Sequence, residues 1–364
     1  MRRLADEDGA TAIFVALLLI LMLGISALVL DVGNMYWERR QLQNGADASS
    51  LAVALDLAKE AATENTTPGA GELGDPYSAT AKSYADANSA DGVSDLDSLS
   101  LNPVDSIPLT RAGEVTAITL VNDAGVNELS HWIAPILGFD ASRVVAPAAA
   151  IYGPLGAVDG AFPVVVCETE YDNGGEVFEI VLKRPPGQGG QVPTDCPTDP
   201  DVFPTGQTPG NFSWLEPTGE GCTVDFDLDD PQMPGDPGVP VPNGSGCPAE
   251  AAEIAAGINA YNAGTTDELP IRHIAVFERV DGTGSGTLYT ISKLAAFEFH
   301  GIKTVIPGHG QTNAVVGSWS TGPDSCNGNS SNTDCVKGRF TGDTATGEID
   351  LGADSDLLGV EMTR

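Results

Sequence analysis

From Ala10 to Leu30 the chain runs for 21 residues without a charge, and thirteen of them are Leu, Ile, Val or Phe. At 1.5 Å per residue, a helix of this length covers about 31 Å, close to the ~30 Å hydrocarbon core of a bilayer. At about 0.3–0.6 kcal/mol each, the thirteen apolar side chains favour insertion by roughly 4 to 8 kcal/mol, an upper figure because those values hold at the bilayer centre. The segment is therefore expected to cross a membrane once, with residues 1–9 cytoplasmic and 10–30 transmembrane. Arg2 and Arg3 precede the span and favour that orientation under the positive-inside rule; Arg39 and Arg40 oppose it, while Asp6, Glu7 and Asp8 hardly count. The rival expectation is a cleaved secretory signal, with Gly24 and Ser26 as small residues before the cut, but the apolar run is longer than a usual signal core.

The rest of the chain has to be soluble beside that span. It supplies most of the 51 acidic residues that outnumber 17 basic ones, for a net charge of −34. Such a balance repels phosphate backbones, so no nucleic-acid partner is expected. With 41% apolar residues the sequence is still rich enough in Val, Ile, Leu and Phe to build packed strands. Its 364 residues suffice for two modest domains.

Six cysteines, Cys167, Cys196, Cys222, Cys247, Cys326 and Cys335, all lie in the second part of the chain, and none forms a C-x-x-C pair. Zinc-knuckle and thioredoxin-like chemistry is thus unsupported, whereas an even count in Gly/Pro-rich sequence fits disulfides, which persist outside the cytoplasm. The downstream part is accordingly expected to be extracytoplasmic. The connectivity is open, although Cys326 and Cys335 bracket a polar turn, and a ring of about ten residues would contribute roughly 2.7 kcal/mol in the loop-entropy model.

Beyond Asp31 the sequence predicts a membrane-proximal helix over residues 31–64, with Tyr36 and Trp37 placed for an interfacial aromatic belt. Leu51, Leu55, Ala58 and Ala62 recur as one apolar stripe, which packs on the chain's own domain or docks on a partner helix. The order of parts is more specific than that of a generic anchor: Asp8-Gly9, the apolar span, Asp31-Val32-Gly33, Leu42-Gln43-Asn44, Ala46-Asp47-Ala48 and Leu51-Ala52. In these residues the chain resembles the TadE/TadG-like Flp pilus-assembly family, whose N-terminal module would here occupy residues 8–54. Gly45, Ser49 and Ser50 stand where that family usually has alanines, and Gly45 should weaken a helix by roughly 0.5–1 kcal/mol relative to Ala. Some relatives are cleaved like type IV pilins at a Gly followed five residues later by Glu; here Phe14 follows Gly9, so such processing is not expected. Nor does Asp95–Ser100 (DLDSLS) meet the D-x-S-x-S spacing of the adhesion domain found in other relatives. The resemblance implies a membrane-bound, non-catalytic assembly role with pilus or secretion-platform proteins as partners.

Downstream, the expected fold class is α+β: the transmembrane helix continues into an amphipathic helix, followed by a small strand-helix-strand unit and a β-rich, disulfide-stapled extracytoplasmic domain. Residues 65–113 read as an acidic linker with a short helix near Thr80–Ala90. Residues 114–156 read as strand (Glu114–Val121), amphipathic helix (Val126–Leu137) and strand (Ser142–Tyr152), and residues 157–364 as the β-rich domain. In the latter, strands are expected at Phe162–Cys167, Val177–Lys183, Ile271–Arg279, Thr287–Phe299 and Lys303–Ile306. Asp281–Gly286 (DGTGSG) reads as a hairpin loop rather than a phosphate cradle, since it opens no helix. Between Arg184 and Pro248, Gly and Pro dominate around Phe203, Phe212 and Trp214, which predicts long surface loops.

No catalytic, cofactor or metal site is expected. Asp225, Asp227, Asp229 and Asp230 could in principle ligate calcium, but position six of the loop is Asp230 rather than Gly, and alternation with Phe226 and Leu228 suits a half-buried strand. None of His131, His273, His300 and His309 sits in a diagnostic motif, and Ser320, in S-W-S-T-G, departs from the nucleophile-elbow pattern. The leading expectation is a membrane-anchored component of Flp-type pilus assembly or surface adhesion. The alternatives are an envelope binding module unrelated to pili and an anchored hydrolase.

Overall fold

The structure is a computed structural model that describes residues 8–89, 95–121, 128–132, 135, 138, 140–171, 176–183, 214–217, 222–235, 247–281, 287–305, 313–316, 319, 334–345, 347–353 and 355–363. Helix α1 (Asp8–Glu64) is one unbroken rod of 57 residues, about 86 Å long at helical rise. Its elements then run β1 (Gly71–Glu72), α2 (Tyr77–Ala87), β2 (Asp95–Asn102), β3 (Gly113–Leu120), β4 (Leu129–Ser130), β5 (Ala141–Ser142), β6 (Val145–Ala161), β7 (Val165–Cys167), α3 (Glu168–Tyr171) and β8 (Phe178–Lys183). There follow β9 (Val224–Asp227), β10 (Gln232–Pro234), α4 (Cys247–Asn262), β11 (Ile271–Asp281), β12 (Leu288–Val305), β13 (Asn313–Val316), β14 (Asp334–Thr341), β15 (Asp343–Thr344), β16 (Gly347–Ile349) and β17 (Leu357–Thr363). The class is mixed α+β.

The two parts of α1 meet different surroundings. Its apolar part is long and hydrophobic enough to cross a membrane, and among the described residues it is left open. Further along, Leu42, Ala46, Ser49, Ser50, Val53, Ala54, Leu57, Ala58 and Ala61 are buried, the spacing of one helical face. The expected stripe is therefore half right: Ala58 lies in that face, but Leu51 and Leu55 are 41% and 48% exposed. Small Ala and Ser side chains, which weigh little in a hydropathy pattern, let the sheet approach closely, and the bulkier leucines are left on the neighbouring face.

One sheet has the order β1-β2-β3-β6-β17-β15, with β9 and β16 also paired to β6. Its first core joins α1 and α2 to this sheet through Val53, Leu57, Leu101, Val115, Tyr152 and Leu358. The second sheet runs β7-β11-β12-β14-β8, with β10 and β13 on β12. Between the sheets, Leu155, Val158 and Phe226 pack with Ala275, Phe277 and Leu294. On the other side of the second sheet, Ile254 and Ile258 of α4 pack with Phe297, Phe299 and Trp214. A single long strand serves both cores, since β6 pairs with β3 over Val145–Tyr152 and with β9 over Ala157–Ala161.

Several expectations change. Residues 65–113 are no bare linker: α2 and β2 lie there, and Leu73, Ala81, Ala85, Leu99 and Leu101 are buried, so the acidic residues mark one solvated side of packed elements. The helix expected at Val126–Leu137 is replaced at Leu129–Ser130 by a strand paired with Ala141–Ser142; Pro135 offers a helix no N–H, and 126–127, 133–134 and 136–137 lie outside the described residues. The boundary drawn at 156/157 falls inside β6. The strands expected at Thr287–Phe299 and Lys303–Ile306 are one strand, β12, with an irregularity between Phe299 and Gly301. Of Phe162–Cys167 only Val165–Cys167 is strand. Expected strands at Val177–Lys183 and Ile271–Arg279 correspond to β8 and β11, and the DGTGSG segment joins two antiparallel strands in which Asp281 faces Leu288, although 282–286 lie outside the described residues.

Cys222 and Cys247 form a disulfide that ties the start of β9 to the first turn of α4. With its ends 25 positions apart, it contributes about 3.5 kcal/mol in the loop-entropy model. Cys167 and Cys335 are disulfide-bonded as well. Cys196 and Cys326 lie outside the described residues, and with them the local closure considered for Cys326 and Cys335.

Candidate functional site

Of the residues singled out in the sequence, some lie against the head along α1 and others do not. Gly9 lies in the first turn of α1. Asp31, one residue past the apolar run, is buried, and its carboxylate accepts the backbone N–H of Trp132 at 2.9 Å. Gly33 is open, and it lines a small cleft with Val29, Leu30, Asn34 and Trp132. Leu42 is buried with Val121, Leu129, Val144 and Ala146, with Met35 against them. Its carbonyl accepts the Thr119 hydroxyl at 2.8 Å, which anchors helix backbone to β3.

At the next position, the Gln43 amide donates both to Asp47 at 2.8 Å and to the Pro147 carbonyl of β6 at 3.0 Å. Among the described residues β17 pairs with β6 only as far as Ala149, and the Gln43 side chain meets β6 just beyond that point. Ala46 is fully buried, Asp47 and Ala48 half-buried, Asn44 and Leu51 exposed. Asp31, Leu42, Gln43, Ala46 and Asp47 are thus brought together against the head, whereas Gly33, Asn44 and Leu51 are not.

The three departures from the alanine pattern have a local explanation. A Cβ on Gly45 would stand 3.3 Å from the Ala85 carbonyl oxygen, so α2 crosses α1 closely there. The Ser49 hydroxyl donates to the Ala81 carbonyl at 2.7 Å, again on α2. Ser50 donates to the Asp47 carbonyl and reaches the Met362 sulfur of β17. Tyr77 of α2 adds a bond to Glu60; burial first, and then that carboxylate, push its phenol above the usual tyrosine range.

The opposite face of α1 stays open. Tyr36 and Trp37 are 72% and 50% exposed, and Leu51 and Leu55 continue on the outer side. Trp132 is the functional residue that a helix over Val126–Leu137 hides: it follows the Leu129–Ser130 strand, and its backbone N–H meets Asp31 of α1.

Other candidates are dispersed. Val224 and Phe226 are buried while Asp225 and Asp227 are exposed, the strand alternation set against a calcium loop. Their carboxylates accept backbone N–H groups of Gly160 and Asp229. Among the described residues no group of three or more His, Cys, Asp or Glu side chains converges as a metal site. His131 bonds the Ser142 hydroxyl at 2.8 Å across the β4–β5 pair; His309 and Ser320 lie outside the described residues. DLDSLS lies on β2, paired with β3. A cleft of about 480 Å³ between the end of α1 and the second sheet is lined by Ala61, Arg111, Tyr171, Phe340 and Asp356. Burial pushes the Asp356 carboxyl up, against the pull of Arg111, which itself donates to the Ala353 carbonyl at 3.0 Å.

Compared with known proteins, residues 9–56 match the family described as Flp pilus-assembly TadE/G-like. That match covers the apolar part of α1 and most of its buried face. No curated protein and no solved structure matches the chain.

Proposed function

We propose that the chain is a single-pass, membrane-anchored component of Flp-type (tight adherence) pilus assembly or surface adhesion, acting by assembly and display rather than catalysis. The observation that carries this reading is the coincidence of the family match at 9–56 with one rigid helix, apolar and open at first and then built into the head. In this reading residues 1–9 are cytoplasmic, 10–30 span the membrane and the remainder is extracytoplasmic. The Cys222–Cys247 disulfide supports that side, because such bonds persist in oxidising compartments. Residues 31–64 act as a strut that the head encloses on one face. Tyr36, Trp37, Leu51 and Leu55 on the other face are where pilus or secretion-platform proteins would dock. Deleting the gene should reduce surface pili and adhesion, and a photo-crosslinker at Leu51 or Leu55 in native membranes should retrieve pilus or platform proteins. Unchanged pilus number and adhesion would sink the reading.

A further inference from the structure

The apolar part of α1 ends at Leu30, and one residue later the Asp31 carboxylate accepts the Trp132 N–H of the head. The head therefore begins where hydrocarbon would give way to headgroups, with no spacer between. The element placed there is the β4–β5 pair. Its backbone is fixed at several points: Leu129 and Ser130 pair with Ser142 and Ala141, His131 N–H donates to the Asp140 carbonyl, and Leu129 packs beside Leu42. Trp132 follows directly. Its backbone is held by Asp31, and it lines the cleft with Val29 and Leu30, yet it is 77% exposed.

The backbone at Trp132 is held while its large indole stands open, beside the apolar end of α1. Its neighbours indicate which partner. Val29 and Leu30 are themselves open apolar residues of the span, so Trp132 continues the surface that faces lipid. Trp favours the headgroup level, where its apolar body and polar N–H are both accommodated. We propose that Trp132, held on the β4–β5 pair, is a second membrane contact, inserting at the headgroup boundary of the bilayer that α1 crosses. The inference rests on the reading of α1 as a membrane span. Two contacts, one off the helix axis, would fix how far the helix tilts and which side of the head faces away from the membrane, whereas a lone helix leaves both free.

The test uses the full chain, wild type and Trp132→Phe, reconstituted in zwitterionic phosphatidylcholine vesicles with or without acyl-chain-brominated lipid. Zwitterionic lipid avoids repulsion of the acidic head. The wild-type minus Trp132→Phe emission isolates Trp132 from Trp37, Trp214 and Trp319, and Trp37→Phe run alongside must leave that difference unchanged. Matching far-ultraviolet dichroism establishes that the exposed substitution keeps the fold. Protein resistant to alkaline carbonate extraction, with a Trp132 signal blue-shifted and lost on brominated lipid, is the expected result. Resistance to extraction with a Trp132 signal untouched by bromine overturns this inference and leaves the span standing. If that signal is also shielded from aqueous acrylamide, a second copy of the chain covers the indole instead. Protein released by carbonate overturns both the span and the inference.

Discussion

Replacing Leu57 by alanine tests whether the far half of α1 is a core element of the head or an appended docking helix. Leu57 is fully buried among Val53, Leu101, Val115, Tyr152 and Leu358, whereas Leu55, two positions earlier, is 48% exposed. Losing three carbons costs roughly 2.4 kcal/mol in transfer at about 0.8 kcal/mol each, and the cavity left behind brings the total to about 2–5 kcal/mol. The same change at Leu55 leaves no cavity and removes carbons already half in water, so it should cost less than about 1 kcal/mol, offset in part by the better helix propensity of Ala. For a head of about 300 residues, unfolding entropy near 2.1 cal/mol/K per residue converts 2–5 kcal/mol into a fall of about 3–8 °C in Tm. The assay is thermal unfolding of the full chain in detergent micelles, followed by intrinsic fluorescence. Equal shifts for Leu57→Ala and Leu55→Ala would refute the assignment of α1 to the core.

Three further outcomes are expected. A Cβ at Gly342 would collide with the Ala62 carbonyl, so Gly342→Ala should push the β14–β15 connection off the end of α1 and lower stability by about 1–3 kcal/mol in the same melt; no change would mean the two do not touch. Replacing Cys222 and Cys247 together by serine should lower the free energy of unfolding by about 3.5 kcal/mol, read from urea midpoints, and an unmoved midpoint would count against the bond. Acid should destabilise the head. Burial works to raise the Glu298 carboxyl, but bonds from Arg339 and His300 outweigh it and hold it below the ordinary 4.5; Asp343, likewise raised by burial, is held below 3.8 by His273 and the Thr344 N–H. Both groups bind protons more weakly folded than unfolded, so their contribution is full above the unfolded values and is lost as pH falls through the folded ones. Urea titrations from about pH 6 down to about pH 3 should show stability declining below 4.5, less steeply in Glu298→Gln.

What could be read from the sequence follows from how local each signal is. The apolar run was legible because twenty-odd uncharged residues leave few alternatives. β3, β8 and β11 were legible because Val, Ile and Phe alternate or cluster within a few residues. The helix α4 was not, although Pro248 in its first turn and Ala251, Ile254, Ala255 and Ile258 on one buried face spell it out; the Gly/Pro-rich stretch before it set the expectation of loops. Pairings such as β17 with β6, where Val360 faces Tyr152, leave no mark in either segment alone. In the candidate site, Leu42 to Leu51 could be picked out by the resemblance, but which of those residues face the head depended on α2 and β17. Trp132 depended on a strand pair that propensity obscured.

The bond from Ser50 to Met362 joins residues 312 positions apart. Synthesis at about 5–20 residues per second puts roughly 16 to 62 s between the emergence of the two. Throughout that interval Val53, Leu57 and Ala58 have been made and Leu358, which completes their core, has not. Until then the part of that face reserved for β17 has no partner from its own chain, and any helper or neighbouring subunit that reaches it first competes with β17 for the same surface.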